Sequence, residues 1–327
     1  MKKRILAALL TAALALTAVS CGSTSAGKEP DEGKTEDAVA TAPGEVTFYD
    51  DLNRKIVLNN PQRVTVLLGS FADVWQSAGG TITATVHESW NNDQVTLDEN
   101  VIDVGDFEQP DLEQILASKP DFVIATSSLD NQKALQQQFE DANIPVAYFG
   151  VTNFDDYLHM LKVCTDITGR KDLYKENGTD IEDEIKSLRA RITGEDPSVL
   201  VVRTSAKAGV KAKGSEGTVL GEILADCGTR NIADSDKSVL EDLSLEAIVA
   251  DDPDYIFVTT MGSDTDAAMK ALEDALTGQP AWQSLSAVKN GRFHVMDKAL
   301  FNTKPNKQWA EAYRQVVDIL YPEDGQQ

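Results

Sequence analysis

One stretch of this chain returns 133 residues later without a gap. DLEQILASKPDFVIATS is echoed by SLEAIVADDPDYIFVTT, so that Leu112, Glu113, Ile115, Pro120 and Asp121 recur as Leu245, Glu246, Ile248, Pro253 and Asp254. Each copy reads as a short helix, a Pro-Asp break and a buried strand, because proline cannot continue the helix and an apolar β-branched run follows at once. Two copies with the same Glu-to-Pro spacing predict two lobes built alike. A two-lobed chain offers a cleft between its halves, a preferred place for a small ligand.

The rest of the sequence fills in those lobes. VTFYDDLNRKIVL reads as a hairpin. After it, apolar strand-like runs (RVTVLLG, TITATV, DFVIATS, PVAYFG) alternate with helical patterns (FADVWQSAG, DLEQILAS, NQKALQQQFEDA, FDDYLHMLKVCTDITG). The alternation resumes with SVLVVRT, GTVLGEILADCG, DYIFVTT, DAAMKALEDAL and RFHVMD, and a last helix near 306–320 puts Trp309, Ala312, Tyr313, Val316, Val317 and Leu320 on one face. Such alternation implies an α/β fold with mainly parallel, helix-covered sheets. Between the halves, residues 171–194 are polar with a sparse stripe of Leu173, Ile181, Ile185, Leu188 and Ile192. That suits one long connector helix, the alternative being an ordinary surface helix of a single domain. The expected lobes are 46–170 and 195–322, with a tail at 323–327.

The N-terminus is a different material. Lys2, Lys3 and Arg4 precede an apolar run over 5–19, too short for the roughly 20 residues that span a bilayer, and Ala-Val-Ser-Cys follows. Residues 1–20 therefore read as a lipoprotein signal peptide with Cys21 as the lipidation site, an uncleaved anchor or plain secretion being the alternatives. Residues 22–45 lack aromatic residues and read with Cys21 as a disordered tether of roughly 27 Å reach. This places the protein outside the cytoplasm, anchored to a bacterial membrane by lipid.

Charge limits the partners. With 30 Lys+Arg against 53 Asp+Glu, the net charge is −23, which argues against a nucleic-acid partner. Three His and three Cys leave little for a resident metal site, so neither metal nor cofactor is expected. Cys164 and Cys227 read as buried thiols, a disulfide between them being the alternative. There is no Gly-x-Ser-x-Gly elbow, no His-Glu-x-x-His and no phosphate-binding glycine loop, so no catalytic residue is assigned and an enzyme is not expected.

Several segments together carry a family resemblance. The Cys21 lipobox, the VTFYDDLNRKIVL and PQRVTVLLGSFAD opening, both Leu-Glu-x-Ile…Pro-Asp copies, Gly-Arg-Phe-His-Val at 291–295 and the closing Trp-Ala-Glu-Ala-Tyr resemble the ABC-importer substrate-binding lipoproteins of the iron-siderophore, haem and cobalamin group. The resemblance implies two α/β lobes, one connector helix, limited hinge motion and a chelate held between the lobes. It also implies a monomer that delivers its ligand to a permease dimer with its ATPase. Glu113 and Glu246 would then be the lobe-tip carboxylates that meet permease arginines. Read locally, both lie in a first helical turn, where they oppose the helix dipole after plausible N-caps at Asp111 and Ser244.

Ligand-facing residues are expected in loops at the C-terminal ends of the strands. The first lobe supplies Ser70 and Phe71, His87 and Trp90, Ser127 and Ser128, and Tyr148 and Phe149. The second supplies Arg203 and Thr204, Lys211 and Lys213, Thr260 and Met261, and Phe301 and Asn302. Trp90 has no obvious core role and could stack on a flat ligand. Arg203, Lys211 and Lys213 suggest anionic ligand groups, or else ion pairs with local carboxylates. The expected cargo is a small-molecule metal chelate carrying its own Fe(III), a ferric siderophore foremost. Haem or a corrinoid is the alternative, with His87 or Tyr148 as a possible axial ligand. A sensing or adhesion lipoprotein without an importer remains the other reading.

Overall fold

A computed structural model describes residues 39–322 apart from 43, 195 and 263. The leader, Cys21 and the 323–327 tail lie outside the described residues. Strands Val64–Val66, Ala84–Thr85, Ile102–Asp103, Phe122–Thr126 and Val146–Phe149 form a five-stranded sheet, parallel throughout. The hairpin Glu45–Tyr49/Lys55–Asn59 is antiparallel. Strand Val39–Ala42 pairs with it, so ordered structure reaches into the expected tether. Backbone bonding to a sheet edge needs no large side chain, and that is why composition misses it.

The second sheet runs Gly209–Lys213, Ser198–Ser205, Tyr255–Met261, Phe293–Val295, with Arg230–Asn231 also on the second strand. Only the Gly209–Lys213 pairing is antiparallel. Side chains alternate between the faces of both sheets. Phe122, Ile124, Ala147 and Phe149 join one large core, and Val123, Ala125, Val146 and Tyr148 pack in a separate outer one. In the second sheet Val199, Val201 and Phe257 join the same large core, whereas Leu200, Val202, Ile256 and Val258 face another outer cluster. The inner faces of both sheets thus share a core that also takes in the helices Phe154–Thr168 and Trp309–Leu320.

The repeat has a structural use. Asp121 accepts backbone N–H bonds from Gln62 and Arg63, both at 2.8 Å, where the neighbouring strand begins. Asp254 accepts from Ser198 N at 2.8 Å and Ser198 Oγ at 2.7 Å, at the equivalent place. Lys119 and Asp252, again equivalent, both have left-handed backbone where the helix turns toward its strand.

The connecting segment is helical over Lys171–Tyr174 and Asp180–Arg189, with a wider π turn at Lys175–Thr179. Gly178 there lies so close to Leu158 and Leu161 that a Cβ would sit 3.1 and 3.2 Å from their methyls. The helix stops at Arg189, short of the expected 194. Its buried Ile185 and Leu188 join the shared core, and Arg191 pairs with Asp318 of the final helix at 2.7 Å. That final helix begins at Trp309, after a 3-10 turn over Asn306–Gln308. Cys164 and Cys227 are buried free thiols, both pushed up by burial.

Candidate ligand cleft

Strand alternation decides what the second lobe turns toward the first. Arg203 continues the inner row of Val199 and Val201. Directly opposite it, across the antiparallel pair, stands Lys211, and Lys213 stands opposite Val201. Opposite residues project to the same face, so the three cations form one patch, bordered by Thr259 on the other neighbouring strand.

These cations are not neutralised from within. Arg203 Nε is buried without a hydrogen-bond partner, and burial lowers the guanidinium's pKa. Burial also lowers that of Lys213, reinforced by the positive charges of Arg203 and Lys211. Lys304, outside these strands, is half-buried and within electrostatic range of Arg203. Burial lowers its pKa, the Asp156 carboxylate opposes that shift, and Arg203 reinforces it. Among the described residues none of these four forms an ion pair, although carboxylates outnumber cations in the chain. A guanidinium and two ammonium groups on one face suit carboxylate, catecholate or other oxyanion groups.

The residues expected from the first lobe are more polar and mixed. Ser70 opens the helix Gly69–Ser77, and its carbonyl accepts from Asn306 Nδ2 at 2.8 Å. Glu88 Oε1 accepts from Gly69 N at 3.3 Å, and burial pushes this carboxyl up to about 7. His87 is exposed and bonds Asp103 at 2.7 Å, which raises its pKa. Trp90 is 44% exposed, with its ring 6.4 Å from that of His87. Ser127 is half-buried and Ser128 exposed. Met261 and Asn302 belong to the second lobe, Met261 exposed at its strand end and Asn302 with a buried Oδ1 that accepts no bond.

Six expected ligand residues are instead core. Phe71, Phe149 and Phe301 are buried in the shared core. Phe71 lies on the sheet-facing side of its helix, and Phe149 stacks on Phe48. Tyr148 is on the outer face, its hydroxyl donating to Gln132 O at 2.9 Å and Arg54 lying 4.8 Å over its ring. Thr204 and Thr260 continue the outer rows of Val202 and Val258, so they turn away from the other lobe. At the strand ends a one-residue parity decides which side chain is presented to which face. Lys304 and Glu88 escape sequence reasoning because no periodic pattern marks them, and Asp156 is engaged in the capping box of the helix Phe154–Thr168, accepting from Thr152 and Asn153.

Glu113 and Glu246 are exposed in the first turns of Leu112–Ala117 and Leu245–Asp251. Asp111 caps the first helix through Glu113 N and Gln114 N, at 2.9 and 3.1 Å. Ser244 Oγ accepts from Ala247 N at 3.3 Å in the second. Neither glutamate side chain is the cap. Elsewhere, an open cavity of about 440 Å³ is lined by Lys186, Arg189, Ile192, Asp226 and Gly228. Its cations are already paired, Arg189 with Asp226 at 2.8 Å and Lys186 with Glu182 at 2.7 Å. No group of three or more metal-ligating side chains occurs among the described residues, and none of their helices is long and apolar enough to cross a membrane.

Known proteins share this architecture. Over 337 residues the chain is 23% identical to YhfQ of Bacillus subtilis, provisionally assigned as an ABC transporter substrate-binding lipoprotein, covering 98% of each. It is 24% identical to the Fe(3+)-citrate-binding protein YfmC of the same organism, covering 90% of this chain and 89% of the relative. The solved structure of a periplasmic binding protein from Veillonella parvula superposes with a TM-score of 0.67 at 18% identity, over 89% of this chain and 96% of that one. The periplasmic binding protein family matches residues 64–300, most of the two lobes, and the chain belongs to that family.

Proposed function

We propose that the protein is the extracytoplasmic, lipid-anchored substrate-binding component of an ABC importer, and that its cargo is an anionic ferric chelate. The observation that carries the reading is the unneutralised face of Arg203, Lys211 and Lys213, with a buried guanidinium Nε lacking any partner, in a chain of net charge −23. An acidic protein that gathers cations in one place gains from an anionic guest. The similarity to an Fe(3+)-citrate-binding protein points the same way. The iron arrives inside its chelator as cargo, so no resident cofactor is needed and no chemistry is assigned to the protein.

Haem or a corrinoid is the alternative cargo. Tyr148 is committed to the outer core and would not serve as an axial ligand, whereas His87 bonds Asp103 through Nδ1, an arrangement that leaves Nε2 free for a metal. Delivery would use Glu113 and Glu246, exposed carboxylates that suit a basic permease surface.

The test is a tryptophan-fluorescence titration of the mature, unlipidated protein. Ferric citrate, ferric catecholate and ferric hydroxamate chelates, haem and cobalamin are compared, with iron-free chelators as controls. Saturable quenching by an anionic ferric chelate, with a thermal shift that grows with its concentration, is expected. Binding confined to haem or cobalamin would overturn the substrate reading.

A further inference from the structure

The first-lobe helix Gly69–Ser77 is held by two segments distant in sequence. One is a strap between the short helix Lys298–Phe301 and the final helix. Asn306 Nδ2, on that strap, donates to Ser70 O and to Asp73 Oδ2, both at 2.8 Å. Asn306 is 1% exposed and holds a left-handed backbone (φ 51°), and Asp73 is 2% exposed. The other segment is the connector. Asn177 Nδ2, in its π turn, donates to Ser77 O at 2.9 Å, and Asn177 O accepts from the Tyr157 hydroxyl at 2.7 Å. Ser77 Oγ joins the two ends by donating to Asp73 Oδ1 at 3.2 Å. One hydrogen-bonded line therefore runs from Asn306 through Asp73, Ser77 and Asn177 to Tyr157.

Packing alone would not call for these groups. Asp73 lies on a helix whose Phe71, Ala72, Val74 and Trp75 are buried in the shared core. A carboxylate there costs far more than a leucine unless hydrogen bonds offset its loss of water. A satisfied buried polar network rigidifies its surroundings and specifies one arrangement of its partners. Here the partners are the connector, the strap and the helix start at Gly69 and Ser70. That start follows strand Val64–Val66 within three residues, at the strand's C-terminal end, where ligands of open α/β sheets bind. A π turn within a helix is likewise frequent at functional sites.

We propose that Asp73, Asn177 and Asn306 are positioning residues of the cleft, which through the helix Gly69–Ser77 tie its Gly69–Ser70 start to both the connector and the second lobe, so that a ligand bound at this start is felt at the connector. The proposal rests on the reading of the cleft as a chelate site and adds the line that couples it to the lobe junction. None of the three residues touches the ligand. They act by fixing where Ser70 is presented.

The experiment is a double-mutant cycle on the full mature, unlipidated chain, read by ferric citrate affinity and by amide hydrogen exchange. Asn306→Gly tolerates the left-handed backbone, and Asn177→Ala removes the connector's bond to Ser77. Each should weaken binding severalfold. The double variant should bind about fivefold more tightly than the product of the two losses, as expected for residues of one network. In the ligand-free protein Asn306→Gly should speed exchange at Lys175–Thr179, and Asn177→Ala should speed it at residues 69–71. Ser77→Ala is a milder cut that removes one hydroxyl. Ferric citrate should slow exchange at Lys175–Thr179 in the wild type but not in Ser77→Ala. Independent losses, with exchange changes confined to the mutated segment, would overturn the proposal and leave the chelate reading standing. A wild type that binds no ferric chelate, yet shows the exchange coupling between strap and connector, would overturn the chelate reading and leave the line of bonds as a link between the lobes.

Discussion

Replacing Arg203 with Met should make the empty protein more stable and the binding protein worse. The guanidinium lies on an inner strand row between Lys211 and Thr259, with Nε buried and unpartnered. Leaving a buried donor unsatisfied costs about 1–3 kcal/mol, and more for a charged group. Arg203 also adds its charge to Lys213 and Lys304. Met keeps an unbranched apolar stem in the same space and removes both penalties. A gain of even 1 kcal/mol would raise Tm by about 2 °C in a chain of this size. The bound state moves the other way. A hydrogen bond to a charged group contributes about 1.5–3 kcal/mol, so losing one should weaken an anionic chelate roughly 10- to 150-fold. Thermal melts of the ligand-free protein and fluorescence titrations at two ionic strengths measure the two halves separately. A lowered melting point together with unchanged affinity would refute the reasoning, because it would mean that Arg203 serves the fold and not a guest.

Further outcomes follow from other parts of the structure. Glu113→Ala combined with Glu246→Ala should leave chelate affinity and helix capping intact, since Asp111 and Ser244 are the caps, but should reduce uptake by cells; normal uptake would remove the docking role. Asp254→Ala loses two bonds at Ser198 and should cost about 2–4 kcal/mol in urea unfolding, and Asp121→Ala should weaken the other lobe through Gln62 and Arg63; a loss under about 0.5 kcal/mol in both would contradict the role given to the repeat. Glu88 is held at about 7 by burial against an ordinary 4.5, so the native state takes up a proton that the unfolded chain does not. Its contribution therefore favours folding increasingly as pH falls from about 8 toward 5, and Glu88→Gln should raise stability at pH 8 while flattening that slope, as melts across the range would report. Cys164 and Cys227 should resist alkylation until the protein unfolds, and rapid labelling of the native protein by iodoacetamide would contradict their burial.

The two lobes were legible because their repeat does one mechanical job twice. Asp121 and Asp254 each tie the start of a neighbouring strand, and Lys119 and Asp252 each turn the chain ahead of it, so selection for the same local geometry leaves the same letters at the same offset. The cation patch was half legible. Arg203 stands out by type at the end of an apolar strand, and Lys211 and Lys213 by their alternation, but strand pairing alone puts them on one face with Arg203, and a parity of one residue sends Thr260 outward while Thr259 stays beside Arg203. The strap was not legible at all. Asn306 finds Ser70 and Asp73 more than 230 positions away, and no helical or strand period runs through FNTKPNKQW to announce it. What that segment does offer is a polar, Pro-broken stretch set between two buried anchors, Phe301 and Trp309. A chain pinned at both ends in one core cannot wander far between them. An asparagine placed there is thus confined near the lobe boundary before any particular contact is known, and the same reasoning can be applied to other short polar links between buried aromatic residues.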